Sequence, residues 1–204
     1  MGAVVHSGDT IRTGTLGEVH LRMSDGGLIA RRAKTTFRID SYAAEVETTG
    51  SEAFSLVAGA NRSISGWIGK LNPVGYRLQT PTATIGIREA DHETVYISPE
   101  SAAPDETPGT YDPVNSGGTS GGTIDIAEGQ TGHVPQGAAS GPRLLTTLPA
   151  FLARRRTRNE GRVSAYATRI RHHIEDRLQA RGSLKPGEPM HEHIHRKHRD
   201  GRPA

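Results

Sequence analysis

The sequence predicts an all-β fold: a sandwich of short antiparallel strands, followed by a linker and a C-terminal amphipathic helix with a disordered basic tail. Three observations support this prediction. Apolar and polar residues alternate in short segments from residue 4 to about residue 134, and glycine-rich turn signals separate the segments. No part of residues 1–134 has the periodicity of a helix longer than two turns. Short strands at this spacing favour a sandwich over alternating strands and helices.

The clearest element is a hairpin near the N-terminus. Val19, Leu21 and Met23 alternate with polar neighbours, which predicts a strand with one buried face. Residues 24–27, Ser-Asp-Gly-Gly, predict a tight turn, because glycine adopts a positive φ at little steric cost. The alternation resumes over residues 28–31 and predicts the return strand.

Further strands are predicted where apolar residues recur at every second position, at residues 37–40, 54–58, 64–68, 76–80, 83–87, 95–97 and 123–126. Residues 99–122 are rich in Pro, Gly, Ser and Thr, so we expect a long mobile loop there, with a strand beginning at residues 110–114 and leading into it.

The chain is divided into four parts by composition. We expect a β domain at residues 1–134, a Pro/Gly/Arg-rich linker at 135–159, an amphipathic helix at 160–181 and a His-rich disordered tail at 182–204. The helix is predicted by apolar residues spaced three and four apart, namely Val163, Ala167, Ile170, Ile174 and Leu178. This stripe must be covered by the chain's own sandwich, by a second copy or by a partner.

Charge separates the same regions. Residues 1–142 hold 10 Lys and Arg against 16 Asp and Glu, a net charge of −6, whereas residues 143–204 hold 15 against 6, a net charge of +9. The two values add up to the +3 of the whole chain. This asymmetry predicts an acidic folded body and a basic C-terminal region.

Several classes of function lack their sequence signals. The chain has no cysteine, which excludes disulfides, thiolate metal sites and a cysteine nucleophile. It has no run of about 20 apolar residues, which a membrane-spanning helix needs. Its first residues lack the pattern of a signal peptide. The glycine-rich residues 117–122 lack the Lys-Ser/Thr ending of a phosphate-binding loop, so no cofactor is predicted.

No catalytic set emerges from the residues. Asp91, His92 and Glu93 are adjacent, and on a strand the two carboxylates would share a face while His92 pointed the other way. No serine has the context of a nucleophile. We therefore predict that the protein is not an enzyme, and the sequence identifies no small-molecule substrate.

Alternating histidines near the C-terminus are weak candidates for metal binding. His191, His193 and His195 would place three imidazoles on one face of an extended segment, and imidazole suits Zn, Ni or Cu. The segment has no visible framework to orient these ligands, so we predict a solvated tail and no specific metal.

Five segments, in order, resemble the motifs of the FecR domain, a β-rich module of bacterial cell-envelope proteins. They are the Gly-Asp-x-Ile-x-Thr-Gly opening, an Asp-Gly turn, the strand ending in Gly-x-x-Arg, the Thr-Pro-x-Ala core and a closing Gly-Gln turn. The matching residues are Gly8, Asp9, Thr13, Gly14, Asp25, Gly26, Gly59, Arg62, Thr80, Pro81, Ala83, Gly86, Arg88, Gly129 and Gln130. The resemblance covers about residues 4–134.

The chain departs from the family pattern in three places. Glu89-Ala90 stands where the family has Gly-Thr, and Glu89 would be strained if that glycine needs a positive φ. The chain begins almost at the opening motif, so the strand that usually precedes it is expected to be missing, which would leave an unpaired edge. The membrane helix and cytosolic anti-sigma segment of the best-known family regulators are also absent from the sequence.

The resemblance implies a non-catalytic binding or signal-relay module of the periplasm or cell envelope. Its expected partner is another envelope protein, bound at a strand edge, at a sheet face or through helix 160–181. The alternative prediction is a binder of nucleic acid or of an anionic surface, because residues 154–158 hold four arginines. A third reading is a tail that is not under functional selection.

Overall fold

The computed structural model describes residues 2–44, 50–137 and 141–155, together with eight residues further on: Val163, Ala165, Tyr166, Thr168, Arg169, His172, Asp176 and Gln179. All eight are helical. The three continuous ranges form eleven strands, two short helices and one 3-10 turn, and the strands make one mixed sheet. This confirms the predicted all-β fold.

The strands are β1 Thr10–Arg12, β2 Val19–Arg22, β3 Leu28–Arg31, β4 Thr36–Ala43, β5 Ser51–Ile64, β6 Tyr76–Gln79, β7 Thr84–Ile97, β8 Gly109–Gly121, β9 Ile124–Ala127, β10 Thr131–Pro135 and β11 Arg143–Leu145. Helix α1 is Trp67–Leu71, the 3-10 turn is Pro73–Gly75, and helix α2 is Ala150–Arg155.

Three long strands fold the sheet into two layers. The first half of β5 pairs with β4 and β6, and its second half pairs with β3 and β7. β7 and β8 change neighbours in the same way. Layer A therefore contains β1, β4, β6, β9, the first halves of β5 and β7 and the second half of β8. Layer B contains β2, β3, β10, β11 and the remaining halves.

Each long strand has a residue with positive φ at the point where it changes layer. These residues are Gly59 on β5 (φ 90°), Glu89 on β7 (φ 50°) and Gly117 on β8 (φ 76°). A Cβ atom at Gly117 would collide with the carbonyl oxygen of Glu89. Glycine removes both the steric penalty of positive φ and this collision, so the bends of β7 and β8 can nest together.

The main core lies between the layers. Phe37, Ile39, Phe54 and Leu56 of layer A pack with Ile29 of layer B and with other buried side chains. Alternation along β4 and the first half of β5 sends these residues inward and their polar neighbours outward.

The outer face of layer B is also covered. Leu28, Ala30 and Ile64 pack with Trp67 and Ile68 of α1 and with Val163. Further along the same face, Ala60, Val95, Ile97 and Tyr111 pack with Phe151 and Leu152 of α2. The region after residue 142 therefore contacts the β body through apolar side chains.

Two local predictions are wrong. Residues 64–68 do not continue as a strand, because β5 ends at Ile64 and the chain turns at Gly66 into α1, with Trp67 N donating to the Asp25 carbonyl at 3.1 Å. Residues 99–122 are not one long loop, because 109–121 form β8. This strand bonds to β7 on one side and to β9 or β10 on the other, and backbone pairing on both sides outweighs its weak intrinsic strand propensity.

Candidate functional site

The open edge of layer A is β1. Ile39 N donates to the Asp9 carbonyl at 3.0 Å, and Thr13 N donates to the Thr35 carbonyl at 2.9 Å. Hydrogen-bonded positions alternate along an antiparallel strand, so the backbone groups of Thr10 and Arg12 face away from β4. Both residues are exposed, and within the described part of the chain β1 pairs with β4 alone. The edge can therefore accept another strand.

The corresponding edge of layer B is β2, and the loop that joins the two edges has an exposed apolar tip. β2 pairs with β3 from Val19 to Arg22, and the described residues offer it no second neighbour. Leu16 lies in the connecting loop and is 97% exposed. The two edges and Leu16 form one end of the sandwich, which we call the open end.

The opposite end of the sandwich also has two edge strands, since among the described residues β9 pairs with β8 alone and β11 pairs with β10 alone. β9 lies against β8, and Ile126 and Ile124 of β9 contact the Cα region of Gly132 on β10 so closely that a Cβ there would collide with Ile126. A side chain at position 132 would require the Ile126 side chain to move. Glycine at position 132 avoids this contact, so β9 and β10 pack closely.

The opening motif residues hold β1 in place. Gly8 has φ 91° and donates its N–H to the Ile39 carbonyl at 2.7 Å, and the Asp9 carboxylate accepts from His6 N at 2.8 Å. The Thr13 hydroxyl donates to the Arg32 carbonyl at 2.6 Å and accepts from Thr35 N at 2.9 Å. The Gly14 carbonyl accepts from Lys34 N at 3.0 Å. These contacts fix the register of the edge strand.

Asp25 and Gly26 form the β2–β3 turn, as predicted. Gly26 has φ 84°, and the Asp25 carboxylate accepts from Gly27 N at 3.0 Å and from the Tyr42 hydroxyl at 3.2 Å. Burial raises the pKa of Asp25, since a charged carboxylate is disfavoured away from water.

Asp25 shares its surroundings with a second buried carboxylate, Glu52. The pKa of Glu52 is raised by burial first and by the charge of Asp25 second. Two interacting carboxylates in a dry environment cannot both ionise easily, so this pair makes the fold sensitive to pH.

The next motif residues lie at a strand bend, in an ion pair and in a turn. Gly59 marks the bend of β5, and Arg62 forms a two-pronged ion pair with Asp91, with Nε–Oδ1 and Nη2–Oδ2 distances of 2.7 Å. Thr80 closes the turn before β7, where its hydroxyl accepts from Ala83 N at 2.9 Å and exposed Pro81 lies between them.

The last four motif residues are also structural. Gly86 lies beside Ser120, and exposed Arg88 pairs with Asp125 across β8. Gly129 has φ 77° and donates to the Val114 carbonyl at 2.9 Å, and the Gln130 side chain accepts from Ala127 N at 2.9 Å. Among the fifteen motif residues, those of the opening segment lie nearest to the open end.

The three residues weighed for catalysis point to opposite faces, as alternation on a strand requires. Asp91 and Glu93 lie on the outer face of layer B, where Glu93 accepts from Arg32 Nε at 3.0 Å. His92 is fully buried on the inner face, with Nδ1 2.7 Å from Asp112 Oδ1. The Asp112 carboxylate also accepts from the hydroxyls of Thr94 and Thr119. Burial inside the sandwich keeps this cluster from any substrate.

A buried arginine was missed by sequence reasoning. Arg31 is 0% exposed on the inner face of layer B, with its guanidinium carbon 3.7 Å from the centroid of the Phe37 ring. None of its three guanidinium nitrogens has a hydrogen-bond partner among the described residues, and burial lowers its pKa to about 9. Arg31 lies two positions after Ile29 on β3, so alternation along the strand places both side chains on the same face. This spacing was the sequence signal that could have predicted its burial.

The metal-binding histidines, most of the arginine run and the tail were also considered in the sequence. No group of three or more His, Asp or Glu that could hold a metal occurs in the described residues. His191, His193, His195 and the rest of the tail at 182–204 lie outside them, as do Arg156 and Arg158. No helix within the described part of the chain has the length and apolar character that crossing a bilayer requires.

Comparisons with known proteins show similarity in fold. No protein-family model matches the chain, and no curated protein matches it. Solved structures do match, and two of them are crystal structures described as a putative anti-sigma factor from Parabacteroides distasonis ATCC 8503. The first is 10% identical with a TM-score of 0.51, and the match covers 71% of this chain and 63% of that one. The second is 9% identical with a TM-score of 0.50, covering 71% and 62%. The match thus spans less than two thirds of either neighbour.

Proposed function

We propose that this chain is a non-catalytic, FecR-type signal-relay module of the bacterial cell envelope, and that it binds another protein by strand addition at β1. The observation that carries the proposal is the outward-facing backbone of Thr10 and Arg12 on an exposed edge. The motif resemblance and the fold shared with proteins described as putative anti-sigma factors support a regulatory role and a protein partner.

Strand addition suits this edge for a physical reason. An edge strand presents unpaired N–H and C=O groups that a partner's extended backbone completes, and the side chains beside them give specificity. The exposed Leu16 adds an apolar contact near the edge. Because the opening motif fixes β1 against β4 before binding, little ordering is needed when the partner arrives.

Photo-crosslinking in the native host tests the proposal. A photo-reactive residue at Arg12 should capture one envelope protein, whereas the same residue at exposed Arg77, on the outer face of layer A, should not. Thr10→Pro removes an N–H that faces away from β4, so it should abolish capture and leave the fold intact, while Thr10→Ala keeps the N–H and should keep capture. Cell fractionation locates the protein in the same experiment.

Equal capture at positions 12 and 77, or capture that survives Thr10→Pro, would rule out strand addition at β1. Recovery of the protein in the cytosol alone would rule out the envelope assignment. The alternative function, in which the basic tail binds nucleic acid or an anionic surface, predicts binding that weakens steeply with salt and does not depend on Thr10.

A further inference from the structure

Described residues of the C-terminal region pack on the outer face of layer B. We call α2 and the eight described helical residues from Val163 to Gln179 the C-terminal cover. Phe151 and Leu152 of the cover are buried on the outer face of layer B, and Val163 is 1% exposed on the same face, beside α1. This face would otherwise expose the apolar side chains of two clusters.

The covered face has three stripes. An apolar stripe includes Leu28, Ala30 and Ile64, and a second one includes Ala60, Val95 and Tyr111. Between them lies a charged stripe made of two buried ion pairs, Arg62 with Asp91 and Arg32 with Glu93. Apolar ridges beside a fixed row of charges form a surface that an amphipathic helix can recognise.

The described residues of the helical part of the cover are mostly exposed. Of its eight described residues, Val163 is buried, Tyr166 and Gln179 are half-buried, and the other five are exposed. The guanidinium carbon of Arg22 lies 5.5 Å from the centroid of the Tyr166 ring. Among the described residues of this part, Val163 and Tyr166 are the apolar side chains that contact the β body.

The opposite net charges of the β body and the C-terminal region favour contact between them. Residues 1–142 have a net charge of −6 and residues 143–204 a net charge of +9. An acidic body attracts a basic helix whether the helix comes from the same chain or from a second copy. The contacts available to the two helices are identical, so their competition depends on concentration.

We propose that the outer face of layer B is a helix-binding surface, that the described helical residues of this chain's own cover pack on it in the resting state, and that the same segment from a second copy replaces them when the cover opens. The proposal does not involve β1 and goes beyond the proposed function. It assigns to the C-terminal region a role in assembly.

The chain contains its own reporter for opening. Trp67 is the single tryptophan, is 5% exposed and belongs to the same packed cluster as Val163. In the full chain, Val163→Asp should shift Trp67 emission to the red and increase its quenching by acrylamide, because a buried carboxylate expels the helix. Ala165→Asp makes the same charge change at an exposed position of the same helix and should leave Trp67 shielded.

Binding in trans is the second measurement. A fluorescent peptide of residues 160–181 is titrated against full-length chains and followed by anisotropy. The Val163→Asp chain should bind it at least about tenfold more tightly than the unaltered chain, because its surface is no longer occupied in cis. A peptide carrying Val163→Asp should not bind either chain.

Equal Trp67 exposure in the two Asp variants, or equal peptide affinity for the opened and unaltered chains, would overturn the proposal. Circular dichroism checks that the Val163→Asp chain keeps its β spectrum. If that chain unfolds, Tyr166→Ala, which removes a half-buried ring, replaces it in both measurements with the same expected directions. Thr10→Pro should change neither measurement, so this proposal and strand addition at β1 fail independently.

Discussion

Glu89 has a φ of 50° where β7 passes from layer A to layer B, and its carboxylate accepts a hydrogen bond from buried Lys70 Nζ at 3.0 Å. The FecR pattern that the sequence resembles has glycine at this position. A glutamate with positive φ is strained there. The backbone strain therefore destabilises the folded state, whereas the ion pair stabilises it. Positive φ costs a non-glycine residue about 1–2 kcal/mol, whereas removing the partner of a buried charge costs about 3–5 kcal/mol.

We expect Glu89→Gly alone to lower the free energy of unfolding by about 1–3 kcal/mol, since the lost ion pair outweighs the relieved strain. The double change Glu89→Gly with Lys70→Met removes both charges and should restore or exceed the original stability. Urea denaturation of the two variants and of Lys70→Met measures this. A single Glu89→Gly variant more stable than the unaltered protein would show that strain dominates.

Two buried arginines of layer B should respond in opposite directions to the same substitution. Arg31 has no hydrogen-bond partner among the described residues, so Arg31→Met should be neutral or should stabilise the fold by about 1–2 kcal/mol. Arg62 is paired with Asp91, so Arg62→Met should destabilise it by about 3–5 kcal/mol, because Asp91 would be left buried without its ion-pair partner.

Thermal or urea unfolding of these two methionine variants measures the difference directly. Each serves as the control for the other, because residue type, burial and layer are matched. Equal destabilisation by the two substitutions would mean that Arg31 is held by more than its contact with the Phe37 ring.

Glu52 should make the protein less stable as the pH rises. Its folded-state pKa is raised above the ordinary value of 4.5, so the unfolded chain releases the proton first. Stability is then lost from about pH 4.5 upward until Glu52 ionises in the folded state. Glu52→Gln should flatten this part of the stability curve, as measured by urea unfolding from pH 4.5 to 9. An unchanged slope would show that Glu52 titrates normally.

His133 should have the opposite effect at acidic pH. Burial and the charge of Arg143 lower its pKa from 6.5 to about 4, so the unfolded chain takes up a proton first as the pH falls. The stability that neutral His133 contributes is lost between about pH 6.5 and pH 4. His133→Phe keeps a ring to stack on Tyr111, whose centroid lies 4.1 Å away, and should remove this loss. A steeper acid loss in the variant would contradict the assignment.

The sequence predicts the parts of the fold that local patterns determine. The hairpin of β2 and β3 follows from alternation and an Asp-Gly turn, and its bounds at 28–31 agree with the structure. The start of β8 at residues 110–114 was predicted, but its second half was missed because it contains little but Gly, Ser and Thr, and what makes it a strand is pairing with β7 and β9. No local signal reports on such neighbours.

The candidate site also has features that the sequence predicted and features that depend on strand pairing. Glycines with positive φ, such as Gly8 and Gly59, were marked by the motif resemblance. The contact between His92 and Asp112 depends on the register of β7 with β8 and could not be inferred from two residues 20 positions apart. The exposed backbone of β1 likewise depends on which strands occupy its two sides, and no local pattern reports on that.

Amide hydrogen exchange by NMR on the purified protein tests the open edge most directly. The account predicts that the amides of Thr10 and Arg12 exchange as fast as those of an unpaired strand edge, while Ile11 and Thr13, whose N–H groups face β4, are protected. Slow exchange at all four positions would mean that another segment already pairs with β1, which would contradict strand addition as the means of binding.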